Sequence, residues 1–363
     1  MNNPAQTSAA SPASFSSRVQ GTLMGGALGD SLGYQVEFDS LEQITAKYGS
    51  SMLLDLSQAK GTVHFSDDTQ MTLYTLDGLL DVLEWANGGV GADINACQWL
   101  AYLRWLKTQG VPAPGHAPEQ APRWIDSQSV LHHQRHPGNA CLTGLSTGEM
   151  GTAARPVNLD SKGCGTVMRS APYGLLPNVE AETVYKVSSD AASLTHGHPS
   201  ARQSSGAFSW LIHQLVIVGL PLRAAAESAR DRATAERAAD ADLLARLELA
   251  LTLSTHDGKP LAGESLTDAL GLGWVAEDAL AVALYCVLAT ERDAVSPVEH
   301  FLDALRLAVN HSGDSDSTGA IAGNILGALY GEAALPPSWL KLCEAPQLIR
   351  HLGAEFIKLT TGE

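Results

Sequence analysis

The stretch His64-Phe65-Ser66-Asp67-Asp68-Thr69-Gln70-Met71 sets a hydroxyl and two adjacent carboxylates directly before an apolar run. Leu73, Leu76, Leu79, Leu80 and Leu83 follow mostly at steps of three, which places them on one buried helical face. Ser66 reads as the N-cap, its side-chain oxygen accepting a hydrogen bond from an otherwise unpaired amide of the first turn. Asp67 and Asp68 then lie where the positive end of the helix dipole favours negative charge. Taken alone, the pair only decorates a helix start.

A second acidic turn changes its standing. His311-Ser312-Gly313-Asp314-Ser315-Asp316-Ser317-Thr318-Gly319 again gathers carboxylates and hydroxyls before a helix, here the small-residue run 320–328. If the two turns converge, four carboxylates meet. Two like charges 4 Å apart repel by about 4 kcal/mol at an effective dielectric of 20, so four do not stay ionised unaided. Two divalent cations balance them. An all-oxygen ligand set, with no His or Cys at metal spacing, favours Mg²⁺ or Mn²⁺ over Zn²⁺. A two-metal site of this kind activates a water and polarises a substrate oxygen.

The remaining chain reads as helix almost throughout. Alternating Val/Ile/Thr segments are hard to find, whereas Ala and Leu recur at helical spacing. Helices are expected over 16–38, 92–108, 181–194, 200–218, 221–232, 240–254 and 275–290. In the first of these, Gly25, Gly29 and Gly33 lie four apart and share a face. Each costs about 1 kcal/mol against Ala in a helix, so three aligned point to close backbone packing against a neighbour. Pro112, Pro114, Pro118 and Pro122 exclude regular helix between 110 and 123. His132, His133 and His136 lack a fourth ligand and read as a solvated loop.

Two further turns carry candidate chemistry. In Ser161-Lys162-Gly163-Cys164-Gly165 the glycines let backbone amides approach a ligand closely, and a helix start behind them would favour an anion. The turn is neither a dinucleotide fingerprint nor a Walker loop. In Thr195-His196-Gly197-His198-Pro199, Gly197 reads as a helix C-cap residue and Pro199 as the first position of the next helix.

Composition sets the outer limits. The 363 residues are 45% hydrophobic and 17% charged, and no run approaches the roughly 18 apolar residues of a membrane span. With 39 acidic against 23 basic residues the formal charge is −16, a surface that repels nucleic acid and anionic membranes. Cys97, Cys141, Cys164, Cys286 and Cys343 are odd in number and scattered, which fits reduced thiols and a cytoplasmic location. The Ala/Ser/Pro-rich start has no secretory pattern.

Ser66-Asp67-Asp68-Thr69 together with Asp314-Ser315-Asp316-Ser317 resembles the split metal site of the ADP-ribosylglycohydrolase family. Gly25 to Gly33 followed by Val36-Glu37-Phe38, then Ser161 to Arg169, then Thr195 to Pro199, are similar to further motifs of that family, in its order. The resemblance implies an all-α single domain over 14–363 with a binuclear Mg²⁺ centre, and the Ala/Ser/Pro-rich composition of 1–13 reads as a flexible tail before it. It implies Ser66, Asp67, Asp68, Asp314, Asp316 and Ser317 as metal ligands. Ser161, Lys162, Gly163, Cys164 and Gly165 would hold the diphosphate and distal ribose, and His196 would contact ADP-ribose. Cys164 stands where some members have Asn, and Ser317 where Thr is common.

The implied reaction is hydrolysis of the C1″ glycosidic bond joining ADP-ribose to a protein side chain, arginine first, with Asp67, Asp68 or Glu37 handling the proton. Lys162, Arg169 and His196 are expected to supply the positive field that two phosphates need in an acidic protein. Two other readings stand beside this one: hydrolysis of a serine or O-acetyl linkage, and an immunity-type protein that binds an ADP-ribosyltransferase toxin.

Overall fold

The structure is a computed structural model describing residues 13–59, 63–256, 258–292 and 295–362. Apart from Ala13, the tail expected over 1–13 lies outside the described residues. Helices follow one another without a strand among the described residues, so the fold is all-α. In chain order they are α1 (Phe15–Gly33), α2 (Leu41–Tyr48), α3 (Asp67–Asn87), α4 (Ile94–Thr108), α5 (Asn139–Ser146), α6 (Ala171–Gly174), α7 (Ala181–Ala192) and α8 (Pro199–His213). There follow α9 (Leu222–Thr234), α10 (Ala241–Leu253), α11 (Glu264–Leu270), α12 (Ala276–Thr290), α13 (Pro297–Val309), α14 (Ser315–Tyr330), α15 (Pro337–Leu340) and α16 (Pro346–Thr361). The buried apolar side chains form one continuous cluster from Val19 to Phe356.

The centre of the molecule is the antiparallel pair α1 and α14, and glycine is what lets them touch. A Cβ built on Gly25 would stand 2.4 Å from the Gly323 carbonyl oxygen, and one on Gly29 would stand 2.0 Å from that of Gly319. On Gly33 it would meet the Ser315 carbonyl oxygen at 2.1 Å. Side chains are absent from this seam because backbone fills it. The consequence for function is positional. The seam ends at Gly33 and Ser315, so it delivers the C-terminal end of α1, with Asp30 and Glu37, to the N-terminus of α14.

Local signals account for most helix ends. Ser66 accepts from the Asp68 amide and caps α3, and Asp314 accepts from the Ser317 amide and caps α14. Ser14, Ser40, Asp93, Asp240 and Ser296 cap their helices in the same way. Pro199 does open α8. Gly197, however, is not the C-cap of α7, which ends at Ala192 with Ser193 as its C-cap. Gly197 is glycine because a Cβ there would come within 2.6 Å of the Leu159 Cα. No long helix follows the Gly163–Gly165 turn either. Cys164–Thr166 is a three-residue 3₁₀ turn, too short to present a dipole of any strength.

Candidate active site

Both acidic turns open onto one cavity of about 300 Å³, lined by Asp67, Asp68, Asp314, Asp316 and Ser317, with Glu37 and Phe38 from the turn after α1. Gly163, Cys164, Gly165, Met168 and His196 also line it. His136 and the 137–140 segment close one side, and Trp274 another. A larger hollow of about 620 Å³ lies against α7 and α8, but its Arg232 and Lys186 are already paired with Glu182, Glu236 and Asp190.

Burial without counter-charge governs the electrostatics of the smaller cavity. Desolvation, and then the neighbouring Asp316 charge, hold the Asp67 and Asp68 carboxyls well above the ordinary carboxylate range. The same two causes raise Asp314, bring Asp30 to about 7 and bring Glu37 to about 10. Asp316, itself raised by desolvation, is the charge the others feel most. The Ser66 hydroxyl offsets part of that rise, so the two turns interact directly.

The donor set fits divalent cations. Asp68 Oδ2 is buried and has no hydrogen-bond partner among the described residues, a costly state for a carboxylate oxygen unless a cation takes it. Its neighbours are oxygen donors that repel one another. Among the described residues no three His, Cys, Asp or Glu side chains form a ready coordination shell.

Asp30 escaped the reading of the sequence and anchors the whole arrangement. It is fully buried. Its Oδ1 and Oδ2 accept from the Ser66 amide at 2.9 and 3.0 Å, and Oδ2 also accepts from the Thr69 amide at 3.0 Å and from the Thr69 hydroxyl. α1 thus pins the first turn of α3, and with it Asp67 and Asp68. The signal was present in the sequence as an Asp inside a Gly-rich apolar helix, a costly placement unless paired.

Other expected site residues sort differently. The Lys162 ammonium pairs with Glu277 and with Asp242 and lines another hollow. It is satisfied there and does not reach the acidic cavity, and Ser161 is not among the lining residues. The Cys164 amide is taken by the Trp274 carbonyl at 3.1 Å, so it is not free for an anion. His196 lines the cavity but is neutral: burial and the Arg169 charge push its pKa down to about 3. Arg169 is buried behind the wall, donating to the Thr195 hydroxyl at 2.7 Å and lying over the Tyr102 ring. Of the three groups expected to supply a positive field, only Arg169 remains. His136 lies in an exposed loop, as expected, and from there sets Nδ1 3.1 Å from Glu37 Oε2 and packs against the Tyr34 and Phe38 rings. Phe38 and Trp274 stack with centroids 6.0 Å apart at the rim.

The raised carboxyls make a testable statement about stability. A carboxyl whose folded pKa is raised keeps its proton in the fold after the unfolded chain has released it, so stability falls as pH rises between the two values. For Asp30 that window runs from 3.8 to about 7, and Glu37 extends it to about 10. Without divalent cations the protein is expected to melt at a lower temperature near about pH 8 than near about pH 5. Added Mg²⁺ or Mn²⁺ should raise the melting temperature more at the higher pH. Thermal denaturation with chelator and with metal checks this; a cation-free melting temperature that does not fall over that range is the contrary result.

The sequence pattern of the ADP-ribosylglycohydrolase family matches residues 11–363. The chain is 26% identical over 333 residues to the ADP-ribosyl-dinitrogen reductase glycohydrolase of Rhodospirillum rubrum, covering 89% of each. Over 63 residues, 17% of each chain, it is 41% identical to the ADP-ribosylarginine hydrolase of Pseudomonas putida. A solved structure described as an ADP-ribosylglycohydrolase-related protein complex superposes with a TM-score of 0.64 at 24% identity, over 96% of this chain and 99% of that one. That last likeness speaks for the fold, whereas the family match extends through both acidic turns. The chain belongs to the ADP-ribosylglycohydrolase family and is a glycosidic hydrolase.

Proposed function

We propose that the protein removes ADP-ribose from modified protein side chains, arginine foremost, by hydrolysing the C1″ glycosidic bond at a centre of two Mg²⁺ or Mn²⁺ ions. The observation that carries this reading is the unpaired Asp68 Oδ2, buried in a cavity whose other walls carry Asp67, Asp314, Asp316 and Glu37. Ser66, Asp67, Asp68, Asp314, Asp316 and Ser317 would hold the ions. When bound, they would supply Lewis-acid polarisation and a water activated near neutral pH.

The chain's own groups do the rest. Asp30 fixes the α3 start, so Asp67 and Asp68 face the cavity without rotating away. The Gly138 amide donates to Asp67 Oδ2 at 3.2 Å and fixes that carboxylate's orientation. Glu37 Oε2 is held by His136 Nδ1 at the cavity mouth. Its raised pKa keeps a proton on the carboxyl at neutral pH before cations bind. In this reading it exchanges a proton with the leaving side chain, while Asp67 or Asp68 receives one from water as C1″ becomes oxocarbenium-like. His196, neutral and donating or accepting without charge, lines the floor for the ribose side.

The arginine preference rests on the relatives' activities and on the acidic cavity, which suits a guanidinium leaving group. Incubation with arginine- and serine-ADP-ribosylated proteins, with Mg²⁺, with Mn²⁺ and with chelator, tests it. Metal-dependent release from arginine well above release from serine is expected. Release from serine alone would overturn the linkage, and undiminished release in chelator would overturn the metal centre.

A further inference from the structure

The turn that opens α3 is held by two carboxylates. Asp30 takes the Ser66 amide, and one residue earlier the Phe65 amide goes to Glu344 Oε2 at 3.3 Å. Glu344 lies in the turn between α15 and α16, far from that helix start in sequence. Its carboxylate also takes both terminal nitrogens of Arg135, with Nη2 2.9 Å from Oε1, and lies 2.7 Å from His64 Nδ1. Arg135 Nη1 donates to the Phe65 carbonyl at 2.8 Å, and the guanidinium lies over the Phe65 ring. The two side chains of this ion pair are only 8% and 13% exposed. Burial opposes charge on Glu344, but Arg135 and His64 outweigh it and hold its pKa below the ordinary value. Unlike the carboxyls of the cavity, Glu344 has its counter-charge in place.

The segment that begins at Arg135 carries the effect of the pair into the cavity. The Arg135 carbonyl accepts the Asp67 amide at 3.2 Å, His136 Nδ1 meets Glu37 Oε2 at 3.1 Å, and the Gly138 amide donates to Asp67 Oδ2 at 3.2 Å. The backbone beside the pair is strained in two places. His136, directly after Arg135, has φ +55°, and Ala345, directly after Glu344, has φ +45°. Residues other than glycine hold that left-handed conformation only where their surroundings impose it. The ion pair joins the two strained turns to each other.

We propose that Arg135 and Glu344 are positioning residues for the hydrolysis: their ion pair seats the 135–138 segment against the start of α3 and so orients Asp67 and Glu37. Neither lines the acidic cavity, so neither meets the substrate. The inference rests on the roles proposed above for those two carboxyls and adds the residues that aim them. An arginine fork matched to both oxygens of a carboxylate fixes direction as well as distance, which a lysine ammonium does not. Once the fork is loosened, Asp67 and Glu37 can turn away, and a misplacement of about 1 Å is enough to cost roughly 100-fold in rate.

The test compares Glu344→Gln and Arg135→Lys with Asp77→Asn in the full-length protein. Asp77 is the control because it too is buried and paired with arginines, Arg104 and Arg123, on the same helix but away from the cavity. At saturating Mn²⁺ each pair variant should lower kcat for release from arginine-ADP-ribosylated protein by about 10- to 100-fold, with KM changed by less than about threefold. Mn²⁺ affinity, read from the paramagnetic resonance signal of the free ion, should fall by about tenfold or more with it. Asp77→Asn should lower the melting temperature and leave kcat and Mn²⁺ affinity near the wild-type values. Arg135→Lys keeps the charge pair and loses only the fork, so it reads the proposal even where Glu344→Gln folds poorly. Pair variants that melt earlier but keep kcat and Mn²⁺ affinity would overturn the positioning role, as would losses shared equally by Asp77→Asn. If the wild type releases nothing from arginine, yet only the pair variants lose Mn²⁺ affinity, the linkage reading falls and the positioning role stands. No Mn²⁺ binding at all would overturn both.

Discussion

Asp316→Asn is expected to raise the melting temperature of the cation-free protein while lowering metal-dependent hydrolysis by more than about 100-fold, the upper end of what loss of even an outer-sphere partner costs a metal site. The two effects have one cause. Asp316 is the charge that most strongly raises Asp30, Glu37, Asp67, Asp68 and Asp314. Replacing its carboxylate with an isosteric amide removes that repulsion, and the empty fold gains. The same replacement removes a proposed ligand, so the loaded enzyme loses. Denaturation in chelator and turnover in Mg²⁺ or Mn²⁺ read the two halves separately. A variant less stable without metal would place Asp316 in a structural role, and one of unchanged activity would remove it from the site.

Gly29→Ala is expected to destabilise the protein by about 3 kcal/mol or more, or to prevent folding. Overpacking in a core costs about 1–3 kcal/mol when side chains can move aside. Here the obstacle is the Gly319 carbonyl oxygen, 2.0 Å from the new methyl, with its carbon at 2.5 Å. Backbone held in a helix does not yield as a side chain does. The helix-propensity gain of about 1 kcal/mol from Gly to Ala offsets only part of this. Because the seam sets where α14 begins, any folded Gly29→Ala protein should also lose metal affinity, since Asp314 and Asp316 shift with their helix. Gly49→Ala is the contrast. That added Cβ meets nothing within 4 Å, but the glycine has φ +81°, so only backbone strain acts there. Chemical denaturation of the two variants distinguishes a closed seam from a general dislike of alanine; equal small losses would contradict the seam.

Much of this protein was legible residue by residue. Helical spacing of Leu and Ala announced the all-α fold. Ser66 and Asp314 are helix caps because their side chains reach amides of their own first turn, an interaction complete within four residues. The glycines at 25, 29 and 33 announced a close backbone neighbour, although nothing in their spacing said that Gly319 and Gly323 were its other side. Two acidic turns, each before a core helix, announced a charge problem in want of a solution.

What needed the tertiary structure was everything decided between distant segments. Asp30 serves α3, and His136 serves Glu37, only because α1 ends where those segments pass. Lys162 has the charge for a phosphate, yet Glu277 and Asp242 lie closer and take it. His196 is neutral because it is buried beside Arg169, and protonation depends on surroundings that spacing does not encode. Arg135 and Glu344 meet because the segment after α15 packs beside the start of α3, a contact no local spacing announces. Local order follows from forces that act within a turn, whereas a site is made by side chains that meet only after the chain has packed. The sequence alone determined the helices, their caps and the acidic turns; packing decided which carboxylates share a cavity and which cations miss it.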